Sequence, residues 1–165
     1  EHLLKPPVGN KQLLEQTDGM PVMIVGGPNQ RVDFHDDPVE EFFFQQRGDM
    51  VLKVHDRGRI EDIPIREGEV FLLPPHMRHS PQRPVPGSVG LVVEGTRREE
   101  DRDGFEWFCF NCVERVHRVE VQVKDIVKDL PPLFSAFYGD AALRTCRNCG
   151  SVHPGKEPPA GWVCL

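Results

Sequence analysis

The stretch that decides the fold is Gly68-Glu69-Val70-Phe71-Leu72-Leu73-Pro74-Pro75-His76-Met77-Arg78-His79, an apolar strand that leads through two prolines to a histidine. A second stretch, His35-Asp36-Asp37-Pro38-Val39-Glu40-Glu41, leads into another apolar strand, which ends at Gly48. Two imidazoles and one carboxylate on a rigid β scaffold can occupy one face of an octahedral ion, and positions stay open for substrate and dioxygen, as in non-haem Fe(II) oxygenases. His35, Glu41 and His79 are therefore candidate ligands of a catalytic metal ion, although two histidines and a glutamate taken alone are more often unrelated surface or core residues.

Short apolar runs separated by turn residues continue outward from both stretches. The 15 glycines and 16 prolines mostly lie between these runs, which suits many short strands better than a few long helices. At 165 residues the chain has room for one main hydrophobic core. The pattern predicts a mainly-β sandwich or barrel with strands at 22–25, 41–45, 50–54, 70–73, 89–93, 105–109 and 119–123. A short helix is predicted at 131–138, starting at its two prolines, with a loop at 96–104 and a loosely ordered tail at 155–165.

The charge balance points to a small-molecule partner. The 20 basic and 26 acidic residues give a net charge of -6, which supplies no basic footprint for a nucleic acid or an anionic membrane. No apolar run approaches the roughly 20 residues that a membrane span needs. No charged-then-apolar leader is present either, so secretion has no support from the sequence.

Four of the five cysteines form two tight pairs, Cys109-Phe110-Asn111-Cys112 and Cys146-Arg147-Asn148-Cys149, separated by 33 residues. Four thiolates from two such pairs can form a closed tetrahedral site for zinc or iron, which leaves no position for a substrate. Redox pairs or unmetallated thiols are the alternative, although neither pair precedes the helix of a thioredoxin-like unit. We therefore predict a structural metal that fastens the C-terminal segment, in a reducing, cytoplasmic compartment. Cys164, His117 and His153 are expected to be spare surface groups.

The spacing of the two histidine stretches resembles that of the cupin superfamily over about residues 20 to 95. Glu41 lies seven residues before Gly48, and His79 lies five residues after a proline that itself follows Gly68 by six. His35 matches the first histidine of the usual motif, whereas Asp37 stands where a second one would be. Asp37 and Glu40 remain alternative ligands, although strand alternation points Glu40 away from Glu41. The resemblance implies a single jelly-roll barrel with an N-terminal arm over 1–104 and a C-terminal segment with the cysteine site over 105–165.

Longer matches are similar to the 3-hydroxyanthranilate 3,4-dioxygenase family over nearly the whole chain. They are Leu4-Lys5-Pro6-Pro7-Val8, Gly26-Gly27-Pro28-Asn29-Gln30-Arg31, Asp33-Phe34-His35, Glu41-Phe42-Phe43-Phe44-Gln45, Phe71-Leu72-Leu73-Pro74-Pro75 and His79-Ser80-Pro81-Gln82-Arg83. The resemblance implies Fe(II) and ring opening of 3-hydroxyanthranilate by O2 to 2-amino-3-carboxymuconate semialdehyde, the precursor of quinolinate in the kynurenine pathway and NAD biosynthesis. It also implies a homodimer and a rubredoxin-like iron at the four cysteines, with zinc as the alternative.

The substrate-binding residues follow from the same resemblance and from the chemistry of the substrate. Arg31 and Arg83 lie close in sequence to the histidine ligands, and a guanidinium makes paired hydrogen bonds to a ring carboxylate. The resemblance implies that Glu94 handles the hydroxyl and amine protons, that Glu41 also takes part in substrate binding, and that Asn10 lines the pocket. The other arginines are expected to be solvated, namely Arg57, Arg59, Arg78, Arg97 and Arg98. The rival functions are a non-catalytic metal-binding cupin that senses a small acidic ligand, and a dioxygenase for another aromatic acid.

Overall fold

The computed structural model describes residues 10–13, 19–124 and 126–163. In these ranges the chain forms eleven strands and two helices. The strands are β1 (Asn10–Gln12), β2 (Val22–Gly26), β3 (Asp33–Asp36), β4 (Glu41–Arg47), β5 (Met50–Asp56), β6 (Arg59–Ile65), β7 (Val70–Leu73), β8 (Arg78–Gln82), β9 (Val89–Glu94), β10 (Asp103–Phe108) and β11 (Arg115–Val121). The helices are α1 (Ile126–Gly139) and α2 (Ala141–Arg144).

The strands form two antiparallel sheets that alternate along the chain. Sheet A has the order β1-β2-β9-β4-β7, and sheet B has the order β11-β10-β3-β8-β5-β6. Two packed antiparallel sheets with crossed connections are the architecture of the jelly roll. The predicted mainly-β fold is therefore confirmed.

The core between the sheets explains why β4 turns one glutamate inward. Along β4, buried Glu41, Phe43 and Gln45 alternate with half-buried Phe42 and Phe44. Phe43 lies in the main apolar cluster, and full burial of such a side chain contributes about 1.5–3 kcal/mol. A strand points every second side chain to the same face, so the burial of Phe43 also directs Glu41 to the interior.

A second apolar cluster fastens the C-terminal segment to sheet B. Its centre is Trp107 on β10, which stacks on Phe137 of α1 with ring centroids 4.3 Å apart. Because β10 also pairs with β3, the segment extends the sheet of the barrel. The predicted boundary between 104 and 105 falls inside β10, and the division of the chain into two parts stays a prediction.

Four strands, β1, β3, β6 and β8, were not predicted, and two of them have a clear physical reason. β6 is polar and mostly exposed, so it lacks the apolar run that marks a strand. β8 contains Pro81, which cannot donate to a sheet ladder and argues against a strand in sequence. The predicted strand at 119–123 lies four residues too far along the chain, since β11 begins at Arg115.

The predicted start of the helix at its prolines is wrong, because α1 begins at Ile126 and contains Pro131 and Pro132. Each proline removes one intrahelical hydrogen-bond donor. Leu130 and Phe134 pack against the Trp107 cluster, and this packing stabilises the helix through the two prolines. Tertiary contacts therefore outweigh local propensity here.

The tail is not loosely ordered as far as the structure describes it. The indole Nε1 of Trp162 donates to the backbone oxygen of Arg31 at 3.0 Å. The Trp162 ring meets Phe110 edge-on at 4.9 Å, and the ammonium nitrogen of Lys53 lies 4.3 Å from its centroid. Cys164 lies outside the described residues.

Within the described ranges, no helix has the length and apolar character required to cross a membrane. The outward side chains of the edge strand β7 include Val70 and Leu72, both well exposed. The homodimer implied by the family resemblance stays a prediction.

Candidate functional site

Two cross-strand pairs meet in the interior of the barrel, one from each sheet. His35 on β3 lies directly opposite His79 on β8, and Glu41 on β4 lies directly opposite Glu94 on β9. Each of His35, Glu41 and His79 offers one possible ligand atom, and these three atoms lie within 4.8 Å of one another. The fold therefore brings together the three side chains that the sequence predicts as metal ligands.

The hydrogen bonds of His79 leave one nitrogen for a metal ion. Its Nδ1 donates to the backbone oxygen of Met77 at 2.9 Å, which leaves Nε2, 2.7 Å from Oε2 of Glu41, as the ring nitrogen that can face a metal ion. His79 is 1% exposed, and Oε2 of Glu41 is buried without a hydrogen-bond partner. Burial raises the pKa of Glu41, but the charges of His79, His35 and Arg31 lower it overall. A buried carboxylate oxygen without a donor, beside an imidazole nitrogen, fits a divalent metal ion.

His35 is oriented by β10. Its Nε2 donates to Oδ1 of Asp103 at 2.8 Å, and its ring stacks on Phe105 with centroids 4.9 Å apart and planes within 4°. A carboxylate behind an imidazole is the usual support of a metal-binding histidine, because it fixes the ring and its tautomer. Asp103 lies at the end of the predicted loop 96–104, so its role was missed in the sequence.

Asp37 and Glu40, the two alternative ligands, differ in position. Asp37 is buried with its Oδ2 3.8 Å from Nδ1 of His35, and it forms a second cluster of acidic and histidine groups with His35 and Asp103. Its two oxygens already accept hydrogen bonds, from the backbone of Val39 at 3.0 Å and from Arg97 at 2.9 Å. Glu40 is exposed. Glu41 is therefore the carboxylate with an oxygen left open.

Arg83 is a buried cation with unpaired donors. It is 2% exposed, and its Nε and Nη2 have no hydrogen-bond partner. Burial lowers the pKa of Arg83 to about 10, although the charge of Glu41 opposes this effect. A Cβ at Gly90 would lie 2.8 Å from Nη2, so the glycine on β9 makes room for the guanidinium. Two free, neighbouring N–H groups suit an incoming carboxylate.

Arg31 differs from Arg83 because it already has a partner. Its Nε lies 3.0 Å from Oδ2 of buried Asp33, and this pairing outweighs burial and raises the pKa of Arg31 overall. The backbone of Arg31 exchanges two hydrogen bonds with the side-chain amide of Gln82, at 3.1 and 2.9 Å. Gln82 belongs to a stretch that carried the family resemblance, but no role was predicted for it.

Glu94 lies directly opposite Glu41, and the negative charge of Glu41 affects the pKa of Glu94. Burial raises the pKa of Glu94, and the negative charge of Glu41 raises it further. Arg97 opposes that rise and donates from Nη1 to Oε2 of Glu94 at 2.6 Å. The expectation that Arg97 is solvated is wrong, because its side chain is only 18% exposed and pairs with buried carboxylates. Asn10 lies on β1 opposite Val25, and its place in the pocket stays a prediction.

The four cysteines form a second, separate cluster. Sγ of Cys109 lies 3.5 Å from Sγ of Cys149, and Sγ of Cys112 lies 3.6 Å from Sγ of Cys146. With metal–sulfur bonds of about 2.3 Å, a tetrahedral site has sulfur atoms about 3.8 Å apart. Hydrogen bonds from Ser151 lower the pKa of Cys149 to about 5, whereas burial raises the pKa of Cys109 to about 11. The spacing and the donor set therefore fit a metal ion.

His153, which was expected at the surface, is buried next to the cysteine cluster. Its Nδ1 accepts from the backbone of Gly155 at 3.1 Å, and its ring packs on Phe110 at 4.7 Å. Burial lowers the pKa of His153 to about 4, so the ring is neutral. His117 is half-buried between Trp107 and Phe137, and burial lowers its pKa as well. Both histidines pack in the C-terminal apolar cluster, which sequence spacing does not reveal.

Comparisons with known proteins identify relatives along the whole chain. The family model described as 3-hydroxyanthranilic acid dioxygenase matches residues 1–138. Proteins named 3-hydroxyanthranilate 3,4-dioxygenase from Shewanella woodyi and Ruegeria pomeroyi are 65% and 62% identical over 165 residues, which is all of this chain and 87% and 91% of theirs. Among solved structures, a cupin-2 domain-containing protein from Shewanella frigidimarina covers 58% of this chain and 87% of its own, with 17% identity and a TM-score of 0.45.

Two antiparallel sheets that enclose a histidine and glutamate cluster, together with four clustered cysteines, define a jelly-roll protein with metal-binding groups. The relatives extend over the barrel and the cysteine segment alike. The chain belongs to the 3-hydroxyanthranilic acid dioxygenase family, and it is a dioxygenase enzyme.

Proposed function

We propose that this enzyme opens the ring of 3-hydroxyanthranilate with O2 in an Fe(II)-dependent, extradiol-type reaction, and that the product is 2-amino-3-carboxymuconate semialdehyde. The observation that carries the proposal is the unpaired, buried guanidinium of Arg83 beside the His35, Glu41 and His79 cluster. This combination offers a metal site and an anion site together, which is what an aromatic acid with an ortho aminophenol group needs. The shared name of the relatives supports the same substrate. Spontaneous cyclisation of the product to quinolinate would give the reaction its place in NAD biosynthesis.

Fe(II), held by His35, Glu41 and His79, would supply the redox chemistry between O2 and the electron-rich ring. The protein binds and orients the substrate around it. Arg83 donates Nε–H and Nη2–H to the ring carboxylate, and Arg31, whose charge also acts on Glu41, adds a second cation near the site. The burial of Arg83 excludes water and strengthens each of its charge-assisted hydrogen bonds.

Glu94 takes the protons of the substrate in this proposal. Its Oε2 is held by Arg97, so Oε1 is the atom that accepts a proton from the hydroxyl or amine group. A raised pKa makes Glu94 a better base than an ordinary exposed carboxylate once it is ionised. Proton transfer to Glu94 increases the electron density of the bound ring.

The test is an aerobic assay of the Fe(II)-loaded protein with 3-hydroxyanthranilate. We expect one O2 consumed per substrate and a new semialdehyde absorbance. Anthranilate lacks the hydroxyl group and should bind without O2 uptake, while gentisate and homogentisate test other aromatic acids. Substrate binding with no O2 uptake on any compound would favour a sensing protein, and faster turnover of another acid would replace the proposed substrate.

We also propose that Cys109, Cys112, Cys146 and Cys149 hold a structural iron, or zinc, in a reducing, cytoplasmic setting that fits their free thiols. Replacing all four with serine should lower the metal content from two ions per chain to one. In zinc-finger peptides a structural metal contributes about 10–16 kcal/mol to folding, so the C-terminal segment of the variant should unfold at a lower temperature. Metal analysis and thermal unfolding measure the two effects.

The matched control for the cysteine variant is Arg147→Ala, which changes an exposed residue inside the second cysteine pair and leaves every thiol in place. It should keep both metals and the wild-type unfolding temperature. Two ions per chain in the quadruple serine variant would contradict the proposed site.

A further inference from the structure

Arg97 binds three carboxylates at once at the edge of the candidate active site. Its Nη1 donates to Glu94 at 2.6 Å, and its Nη2 donates to Asp37 at 2.9 Å. Both oxygens of Asp103 accept from Nε at 3.1 Å, and Oδ1 also accepts from Nη2 at 2.7 Å. All three carboxylates are buried. A single planar guanidinium therefore fixes the relative positions of three acidic groups from different parts of the chain.

The three carboxylates carry the same negative charge, so their close placement depends on the positive charge of Arg97. Glu94, Asp37 and Asp103 lie near one another and near Glu41, and buried carboxylates repel when no cation separates them. In the described part of the chain, the cationic group with hydrogen bonds to all three is Arg97. Without it the carboxylates would repel one another, because their other donors, the backbone of Val39 for Asp37 and the ring of His35 for Asp103, hold each carboxylate separately.

The contacts of Asp103 extend the effect of Arg97 to a metal ligand. Oδ1 of Asp103 accepts from Nε2 of His35 at 2.8 Å, and the same oxygen accepts from Arg97. The Asp103 carboxylate is therefore held on one side by the guanidinium and orients the imidazole on the other. Arg97 thus connects the orientation of His35 to that of Glu94.

We propose that Arg97, acting through Asp103 and Glu94, is a positioning residue that sets the metal ligand His35 and the proton acceptor Glu94 in register with each other. The inference rests on the proposed function, which gives those two residues their roles. Arg97 touches neither the substrate nor the metal in this assignment. Its removal should therefore slow turnover at saturating substrate and Fe(II) and weaken Fe(II) binding, while the clamp of Arg31 and Arg83 keeps its affinity for the carboxylate.

The matched control is the next residue. Arg98 pairs with Asp101 on the surface, its side chain is 73% exposed, and it has no contact with the site. Arg97→Met and Arg98→Met therefore remove the same charge from neighbouring positions. Arg97→Lys keeps the charge but cannot reach three carboxylates with a fixed fork, so it should restore activity only in part.

Steady-state kinetics with 3-hydroxyanthranilate at saturating Fe(II) form the first arm of the test. Arg97→Met should lower kcat about 100-fold with KM changed less than about 5-fold, a split expected when reacting groups are misplaced. Arg98→Met should match the wild type. Wild-type kcat in Arg97→Met, or an increase of KM alone, would overturn the proposal.

Anaerobic Fe(II) titration forms the second arm and does not depend on turnover. Loss of a group behind a metal-binding histidine typically weakens metal binding about 10- to 100-fold, and both Arg97→Met and Asp103→Asn should fall in that range. Asp103→Asn is nearly isosteric and reports on the same link if Arg97→Met does not fold. A wild type inactive on every aromatic acid would refute the proposed function alone, whereas unchanged Fe(II) affinity in both variants would refute the role of Arg97.

Discussion

Replacing His79 with alanine is expected to remove the proposed catalytic iron and to lower turnover by about three orders of magnitude or more, since the proposed reaction depends on the bound metal. His79 supplies the nitrogen that faces Oε2 of Glu41 at 2.7 Å, and both groups are buried. Without the imidazole, His35 and Glu41 offer two ligands, which is too few to retain Fe(II). Anaerobic metal analysis beside O2 uptake should find one metal per chain, at the four cysteines, and no turnover.

His76→Ala is the matched control for this variant. His76 lies three residues earlier, its side chain is 64% exposed, and its partner is Asp36. The control should keep both metals and close to wild-type turnover. Full iron content and turnover in His79→Ala would show that the three proposed ligands are wrong.

Replacing Arg83 with methionine is expected to weaken substrate binding and, at the same time, to stabilise the free protein. Two charge-assisted hydrogen bonds to the substrate carboxylate are worth about 1.5–3 kcal/mol each, so their loss should raise KM about 100-fold or more. The free protein, however, carries a buried guanidinium whose Nε and Nη2 have no partner. Methionine fills similar space without that charge, so the free energy of unfolding should rise by about 1 kcal/mol or more.

Substrate titration and thermal unfolding without substrate measure the two effects of Arg83→Met. Arg66→Met provides the control, since Arg66 is exposed and pairs with Glu69 on the surface. That variant should leave both KM and the unfolding temperature unchanged. A lower unfolding temperature in Arg83→Met with unchanged KM would mean that Arg83 is a structural residue with a partner still to be found.

The sequence predicted those parts of the fold that have a local signal. Strand β7 lies where its apolar run indicates, and β4 and β9 extend one or two residues beyond theirs. β8 escaped prediction because its stabilising contacts are long-range, with Pro81 opposite Leu52 on β5. The start of α1 was not predicted for a similar reason, since packing on Trp107 stabilises the helix although it contains two prolines.

The candidate site likewise contains residues that the sequence predicted and residues that it did not. Histidine and glutamate spacing predicted the cluster of His35, Glu41 and His79, because the ligands of such a site lie near strand ends with fixed intervals. Arg97 and Asp103 sit in a charged stretch that resembles a solvated loop. Their importance depends on the contacts of Arg97 with Asp37 and of Asp103 with His35, across 60 and 68 positions of sequence.

The hydrogen bond between Trp162 and Arg31 joins residues separated by 131 positions. A ribosome that adds roughly 5–20 residues per second needs about 7 to 26 s to make that interval. During this time the backbone oxygen of Arg31 lacks the hydrogen bond that the Trp162 indole donates in the folded protein. The hydrogen bond from Trp162 to Arg31 can therefore form only after the proposed metal ligands His35, Glu41 and His79 have all been synthesised.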